Sequence, residues 1–240
     1  MMNPEKIYHA WKNYNAVRIK GDKKAANVEL TNLINDFHQL PKDLQEITLI
    51  TLVGSYIDDS GFIGNNGSIV SAEEVRIQHP LFKEILLPYI TDLCKSENAI
   101  GYRWAAQLSQ FFYSDYGATK KFLEALNIRE KHFDCEYFLD QSYTLDPIPK
   151  TAELIMQAKY TQLSYATHEL PRFLLKEPTH YISYYEEFVE IMDKVVNKPT
   201  GEHYDFFNRV YLECKNYIKV SSNYQDFESY LKQNRIVLDW

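Results

Sequence analysis

The chain has 240 residues, a net charge of −7 and a pI near 5.5. This length is enough for one large domain with a substantial buried core. The charge is uneven, because residues 1–57 carry +1 and residues 58–240 carry −8. A negative chain without a dense basic stripe is a poor ligand for nucleic acid, whereas it attracts a basic protein. Mild acidity that only aids solubility is the alternative.

Cysteine content and hydropathy restrict the compartment. Cys94, Cys135 and Cys214 are odd in number, far apart and without a CxxC pair, so they predict neither a disulfide framework nor a thiolate zinc site. The N-terminal twenty residues lack the apolar run of a secretion signal, and no segment approaches the roughly 18 apolar residues of a membrane span. We therefore expect a cytoplasmic protein that does not enter a membrane.

Apolar residues in the N-terminal half recur with helical spacing, and strand-like alternation is scarce. A first helix is predicted to end near Gly21, and a second to cover residues 22–38. A third should begin after Pro41 and reach Ile57, since proline is tolerated in a first helical turn. Further helices are predicted over 81–94, with a bend at Pro88, and from a cap at Ser96 to about residue 113.

The same periodicity continues to the C-terminus. Helices are predicted over residues 117–127, 129–144, 151–168, 202–219 and 223–234, with a short helix starting at Pro171 and a longer one after Pro178. The prolines at 147 and 149 mark a possible subdomain break near residues 146–150. Capping-box spacing links Ser71 with Glu74 and Ser222 with Gln225. The whole predicts one all-α domain over residues 1–240, an irregular α–α superhelix of about 9–11 helices.

One segment resembles a known repeat family. Tyr102-Arg103-Trp104-Ala105-Ala106-Gln107-Leu108 is similar to the second-helix consensus of HEAT and armadillo-like repeats, in which an arginine precedes paired small residues and a leucine. The match covers about residues 80–126 and does not recur cleanly at a period of about 40 residues. The resemblance implies stacked helical hairpins with small residues at their contacts and an arginine joining neighbouring units. Small residues at an ordinary helix interface are the alternative.

Four of the eight glycines lie in a loop predicted at about residues 54–70. Asp58 and Asp59 open this loop, but its glycines match neither a P-loop nor GxGxxG, and its acids do not have EF-hand spacing. A surface that contacts a partner and a plain connector are both open interpretations.

Two acidic stripes are predicted on helices and are the other candidate partner-binding residues. The candidates are Asp58 and Asp59 in the loop, Glu130, Asp134, Glu136 and Asp140 on one helix, and Glu186, Glu187, Glu190 and Asp193 on another. Acidic residues of this kind pair with a basic protein and contribute mainly specificity and association rate. Solvated helix faces are the alternative.

The sequence contains no recognisable catalytic, cofactor or metal motif: HExxH, GxSxG and a catalytic-cysteine signature are all missing. The leading hypothesis is therefore a non-enzymatic module that blocks a basic protein, similar in type to all-helical immunity proteins that neutralise bacterial toxins such as nucleases. The first alternative is a helical enzyme with a site assembled from dispersed residues such as Asp58, Asp59, His79 and His132. A structural adaptor is the second.

Overall fold

A computed structural model describes residues 3–59, 77–130, 132–170, 172–195 and 202–239. The described residues form α-helices without a β-strand, so the predicted all-α class is confirmed. The helices are α1 Pro4–Ile19, α2 Lys23–His38, α3 Lys42–Leu49, α4 Ser55–Asp59, α5 His79–Leu81, α6 Leu87–Lys95, α7 Ala99–Gln107, α8 Ser109–Ser114, α9 Tyr116–Ala125, α10 Cys135–Leu145, α11 Pro149–Thr167, α12 Pro178–Met192, α13 Glu202–Val220 and α14 Phe227–Gln233. None of these is both long and apolar enough to span a bilayer.

The chain folds into two compact units, Met1–Asp146 and Pro147–Trp240. In the first unit α1 packs on α2, and α7 packs on both α6 and α10. Its core holds the buried Trp104 and a stack of phenylalanines, in which Phe133 lies between Phe112 and Phe138 at ring-centre distances of 4.4 and 4.7 Å. Such large apolar surfaces dominate the stabilisation of the unit.

The second unit is built from α11 to α14, with α12 packed on both α11 and α13. Tyr181, Phe188 and Phe207 are fully buried in its core. The Tyr181 hydroxyl donates a hydrogen bond to the Phe207 carbonyl at 3.2 Å, which satisfies a buried polar group. Leu238 is buried against this core, so the C-terminal segment packs on the unit that it closes.

Two helical stretches of the first unit contain a π-helical turn. Ile50–Gly54 connects α3 to α4, and Phe82–Leu86 connects α5 to α6. The second turn directly precedes Pro88, whose ring in an α-helix would clash with the carbonyl of Glu84 four residues earlier. The wider turn makes room for the proline within one continuous helical stretch.

The structure differs from the prediction at helix starts in the first unit. Ser96 does not begin a helix, since its hydroxyl donates back to the Leu93 carbonyl at 2.9 Å. Asn98 caps α7 instead, by accepting a hydrogen bond from the Ile100 amide at 2.9 Å. The predicted 129–144 helix likewise begins only at Cys135.

The second unit shows the same kind of difference. The predicted cap at Ser222 lies in a short 3-10 turn, and Asp226 caps α14 by accepting from the Ser229 amide at 2.7 Å. Residues 172–177 form turns and bends instead of the short helix expected there, and Pro171 itself lies outside the described residues. So do the predicted capping box at Ser71 and most of the glycine-rich loop, of which only residues 54–59 are described.

Candidate functional site

Asp58 lies at the end of α4, where side chains of α7 surround it. Its Oδ1 atom accepts hydrogen bonds from Arg103 Nε at 3.0 Å and from Trp104 Nε1 at 3.1 Å. The Arg103 side chain is 6% exposed and that of Asp58 is 33% exposed. The amide of Gln107 donates to the Ile57 carbonyl one turn further along α7. The carboxylate is therefore held in one orientation by a guanidinium donor and an indole donor.

The Arg103 of the proposed repeat motif thus joins α7 to α4. Ala105 and Ala106, the small residues that follow it, are fully buried in the core of the first unit. Gly54 lies close to this contact, since a Cβ atom at this position would lie 3.3 Å from the Trp104 ring. A side chain larger than hydrogen at position 54 would displace the indole that binds Asp58.

The other residues of the enzyme alternative lie elsewhere. Asp59 and His132 are exposed, whereas Asp58 is partly buried against α7. His79 Nε2 lies 3.1 Å from the Ser114 hydroxyl, and the imidazole packs edge-on against Phe111 at 5.2 Å. No group of three His, Cys, Asp or Glu residues within the described ranges is placed to hold a metal ion.

The first acidic stripe is not one face of a helix. Glu130 precedes α10, and Asp134 is the cap of that helix, where its Oδ1 accepts from the backbone amides of Glu136 and Tyr137 at 3.0 and 3.4 Å. An aspartate at a helix start satisfies amides that have no partner inside the helix, which explains its position without a ligand. Asp140 lies on the exposed side of α10.

The second stripe lies on α12, and its glutamates pair with lysine side chains of the same unit. Glu187 accepts hydrogen bonds from the largely buried Lys159 and from the Ser183 hydroxyl. Burial alone would raise the pKa of Glu187, but these hydrogen bonds and the Lys159 charge lower it. Glu190 pairs with Lys194 at 3.0 Å.

The remaining members of that stripe also have places within the second unit. Glu186 accepts from the Tyr211 hydroxyl at 2.9 Å and lies 3.9 Å from Lys215 Nζ. Asp193 is the C-terminal cap of α12. Internal pairing reduces the negative potential that this stripe offers to a basic partner.

A groove of about 710 Å³ lies between α2, α3 and α6 in the first unit and is here called the α3–α6 groove. This volume lies within the range of roughly 300–1,000 Å³ that is typical of small-molecule sites. The polar and titratable side chains in its wall are those of His38, Lys42, Asp43, Gln45, Glu46, Glu84, Tyr89, Asp92, Ser96 and Asn98. Sequence reasoning missed this site, because its residues come from separate helices and form no linear motif.

Tyr89 and Glu46 form the best-defined polar pair of this groove. The Tyr89 hydroxyl donates to Glu46 Oε1 at 3.4 Å. Burial, followed by the negative charge of Glu46 and this hydrogen bond, raises the pKa of Tyr89 to about 12. The phenol is therefore protonated at neutral pH and donates to a carboxylate that faces the cavity.

A smaller groove of about 510 Å³ lies on the other side of α6, against α9. Lys83 and Asp115 in its wall form an ion pair at 3.3 Å. Asp115 also caps α9 by accepting from the Ala118 amide, and this bond, with the Lys83 contact, lowers the pKa of the carboxyl. The charges of Lys83 and Asp115 therefore pair with each other, and Asp115 also caps the start of α9.

A comparison with known proteins identifies the family of the chain. A model of the haloacid dehalogenase-like hydrolases matches residues 34–219. The chain belongs to the haloacid dehalogenase-like hydrolase family. The match covers well over half of the chain and includes both grooves and the Asp58 contacts. No curated protein and no solved structure matches the chain significantly.

Membership of the haloacid dehalogenase-like hydrolases corrects three predictions. The resemblance to HEAT and armadillo-like repeats is wrong as a family assignment, because the matching family is one of hydrolases. The immunity-protein hypothesis and the non-enzymatic interpretation are wrong for the same reason. An arginine followed by small residues packs helices together in many folds, so the Arg103 segment does not identify HEAT or armadillo-like repeats.

The enzyme alternative agrees better with this hydrolase family. Since the described residues contain no β-strand, the side chains that they contribute to a site come from helices and turns, and not from the ends of sheet strands.

Proposed function

We propose that this chain is a hydrolase whose substrate binds in the α3–α6 groove. The family match carries this proposal, because it covers the groove and names a class of water-dependent bond cleavage. Hydrolysis needs a base that activates water, a donor for the leaving group and a concave site that orients the substrate. The wall of the α3–α6 groove offers a candidate for each of these roles.

Glu46 is the proposed general base, since it is a carboxylate in the groove wall that accepts a long hydrogen bond of 3.4 Å from the Tyr89 hydroxyl. Tyr89, which is protonated, and Lys42 are the groups available to donate to a developing negative charge. His38 contributes the imidazole of this wall, and imidazole is the side-chain group most often used for proton transfer to a leaving group.

The groove wall also restricts the substrate. Asp43, Glu46, Glu84 and Asp92 contribute four carboxylates against the ammonium group of Lys42. A neutral or cationic substrate suits this wall better than a dianion, unless a cation screens the carboxylates. The first screen therefore uses neutral esters and amides, phosphate monoesters and 2-haloacids, each with and without Mg²⁺.

The matched pair of variants that tests the site is Glu46→Gln and Glu124→Gln. Glu124 lies outside the groove on α9, where it makes an exposed contact with Lys120 at 3.8 Å. Loss of a general base lowers rates by about 10²–10⁴-fold. We expect this loss in kcat/KM for Glu46→Gln and less than about a twofold change for Glu124→Gln, since exposed pairs contribute little. Full activity of Glu46→Gln would remove Glu46 from the mechanism.

Three further predictions from the sequence accompany this function as proposals. The packing of α1 on α2 and of α6 on α7 in the first unit, and of α12 on α13 in the second, supports irregular α–α superhelical packing within each unit. Low cysteine content supports a cytoplasmic location. The net charge supports a basic protein as any macromolecular partner, with no direct binding of nucleic acid.

A further inference from the structure

A continuous line of contacts leads from Asp58 to the wall of the α3–α6 groove. Asp58 accepts from Trp104 Nε1 at 3.1 Å, and the Trp104 ring lies 6.1 Å from the Tyr89 ring at an interplanar angle of 50°. Tyr89 in turn donates to Glu46. A carboxylate at the end of α4 is therefore connected to a carboxylate in the groove through two aromatic side chains.

The indole in the middle of this line has little freedom to move. Trp104 is 1% exposed, and the close approach of Gly54 blocks one side of its ring. The adjacent Arg103 is also buried and donates to the same Asp58 oxygen, so the two donors of α7 converge on one acceptor. Displacement of Asp58 would leave two buried donors without that acceptor and would shift the indole against Tyr89.

We propose that Asp58 is a positioning residue, which sets the orientation of Trp104 and through it the placement of Tyr89 and Glu46 in the groove. The contacts alone support the structural part of this proposal. Its catalytic part rests on the proposed function, since it requires that Glu46 act on the substrate. The coupling between Asp58 and Tyr89 is the quantity that tests the proposal.

The coupling is measured on the full chain by NMR of tyrosine labelled with ¹³C at Cζ. Tyr89→Phe identifies the Tyr89 resonance, whose titration in the unmodified protein is expected at about pH 12. Asp58→Asn keeps the size of the side chain and removes its charge. We expect it to move the Tyr89 resonance and to lower its titration midpoint, because a displaced indole buries the phenol less well.

Asp59→Asn is the matched control for this titration, because it removes the same charge from the next residue, which is exposed. It should leave the Tyr89 resonance and midpoint unchanged. If Asp58→Asn does not fold, Asp58→Glu takes its place, because the longer side chain keeps the charge but moves the carboxylate relative to Trp104, and it should also shift the Tyr89 resonance. If the Tyr89 resonance and its titration midpoint stay unchanged when Asp58 is substituted, the proposal is overturned.

Activity measurements separate this proposal from the proposed function. With a substrate identified, Asp58→Asn should lower kcat about tenfold or more and change KM less, because a small misplacement of a catalytic group is costly in rate. If Asp58→Asn changes the Tyr89 resonance but no hydrolysis depends on Glu46, Asp58 remains a positioning residue and the groove is refuted as the active site. If hydrolysis depends on Glu46 but the Tyr89 resonance does not change, the groove remains the active site and the positioning role of Asp58 is refuted.

Discussion

Removal of Asp58 should destabilise the first unit more than removal of its ion-pair partner Arg103 does. Asp58→Ala leaves the Arg103 guanidinium, which is 6% exposed, without its carboxylate, and it also removes the acceptor of the buried Trp104 N–H. Arg103→Met leaves Asp58 one-third exposed to water and still bonded to Trp104. Position in the fold, and not the ion pair alone, therefore decides the cost of each change.

The magnitudes follow from burial. Breaking a fully buried ion pair costs about 3–5 kcal/mol, and a partly exposed pair falls toward or below the lower limit. Since Asp58→Ala leaves two buried donors unsatisfied, we expect it to cost about 3 kcal/mol. Arg103→Met should cost about 1 kcal/mol, because methionine retains most of the buried stem and water solvates the remaining carboxylate.

Urea unfolding followed by circular dichroism and tryptophan fluorescence measures both values. The two probes should be compared first, because two compact units need not unfold in one transition. The double variant should cost about 1–2 kcal/mol less than the sum of the single changes, since one ion pair is lost in all three. An Arg103→Met cost equal to or above that of Asp58→Ala would refute the reasoning from burial.

Two further changes in the first unit have definite expected outcomes. Gly101→Ala would place a Cβ atom 2.5 Å from Leu93 Cβ, and overpacking of this kind costs about 1–3 kcal/mol; an unchanged thermal midpoint would mean that α6 and α7 separate easily. Asp115→Ala removes the cap of α9 and should cost about 1 kcal/mol at neutral pH. Because the pKa of Asp115 is lowered by the Ala118 amide and Lys83, this stabilisation is present above the ordinary pKa near 4 and is lost as the pH falls through the lowered folded value. A difference between the two proteins that persists in strong acid would contradict the carboxylate cap.

The sequence pattern predicted the fold class well because helical periodicity is a local property. Residues such as Leu30, Leu33, Ile34 and Phe37 lie three or four positions apart, and all are buried on one side of α2. The exact helix starts were harder to predict. Asn98 and Asp226 cap helices for which Ser96 and Ser222 were the predicted caps, and Asp134 caps α10, whose start was predicted at residue 129. Several polar residues near a helix start can act as its cap, so the residue type alone does not select one.

Most residues of the candidate site could not be predicted from a single sequence. Asp58 was selected for its place beside glycines, yet the contact that distinguishes it comes from Arg103, 45 residues away. Glu46 and Tyr89 meet across 43 residues and belong to no motif. Residues that are brought together only by helix packing leave no periodic or spaced signal, so their chemistry becomes visible only in the folded chain.

The π-helical turn at Ile50–Gly54 has an effect on the direction of every residue that follows it in the same helical stretch. A π turn accommodates one residue more than an α turn, and one residue corresponds to roughly 100° of rotation about the helix axis. If all five residues Ile50–Gly54 adopted regular α geometry, Asp58 would be turned away from Arg103 by about that angle. The wider turn thus absorbs one residue, and deletion of a single residue from it would let the stretch close as a regular α-helix with Asp58 still directed at Arg103.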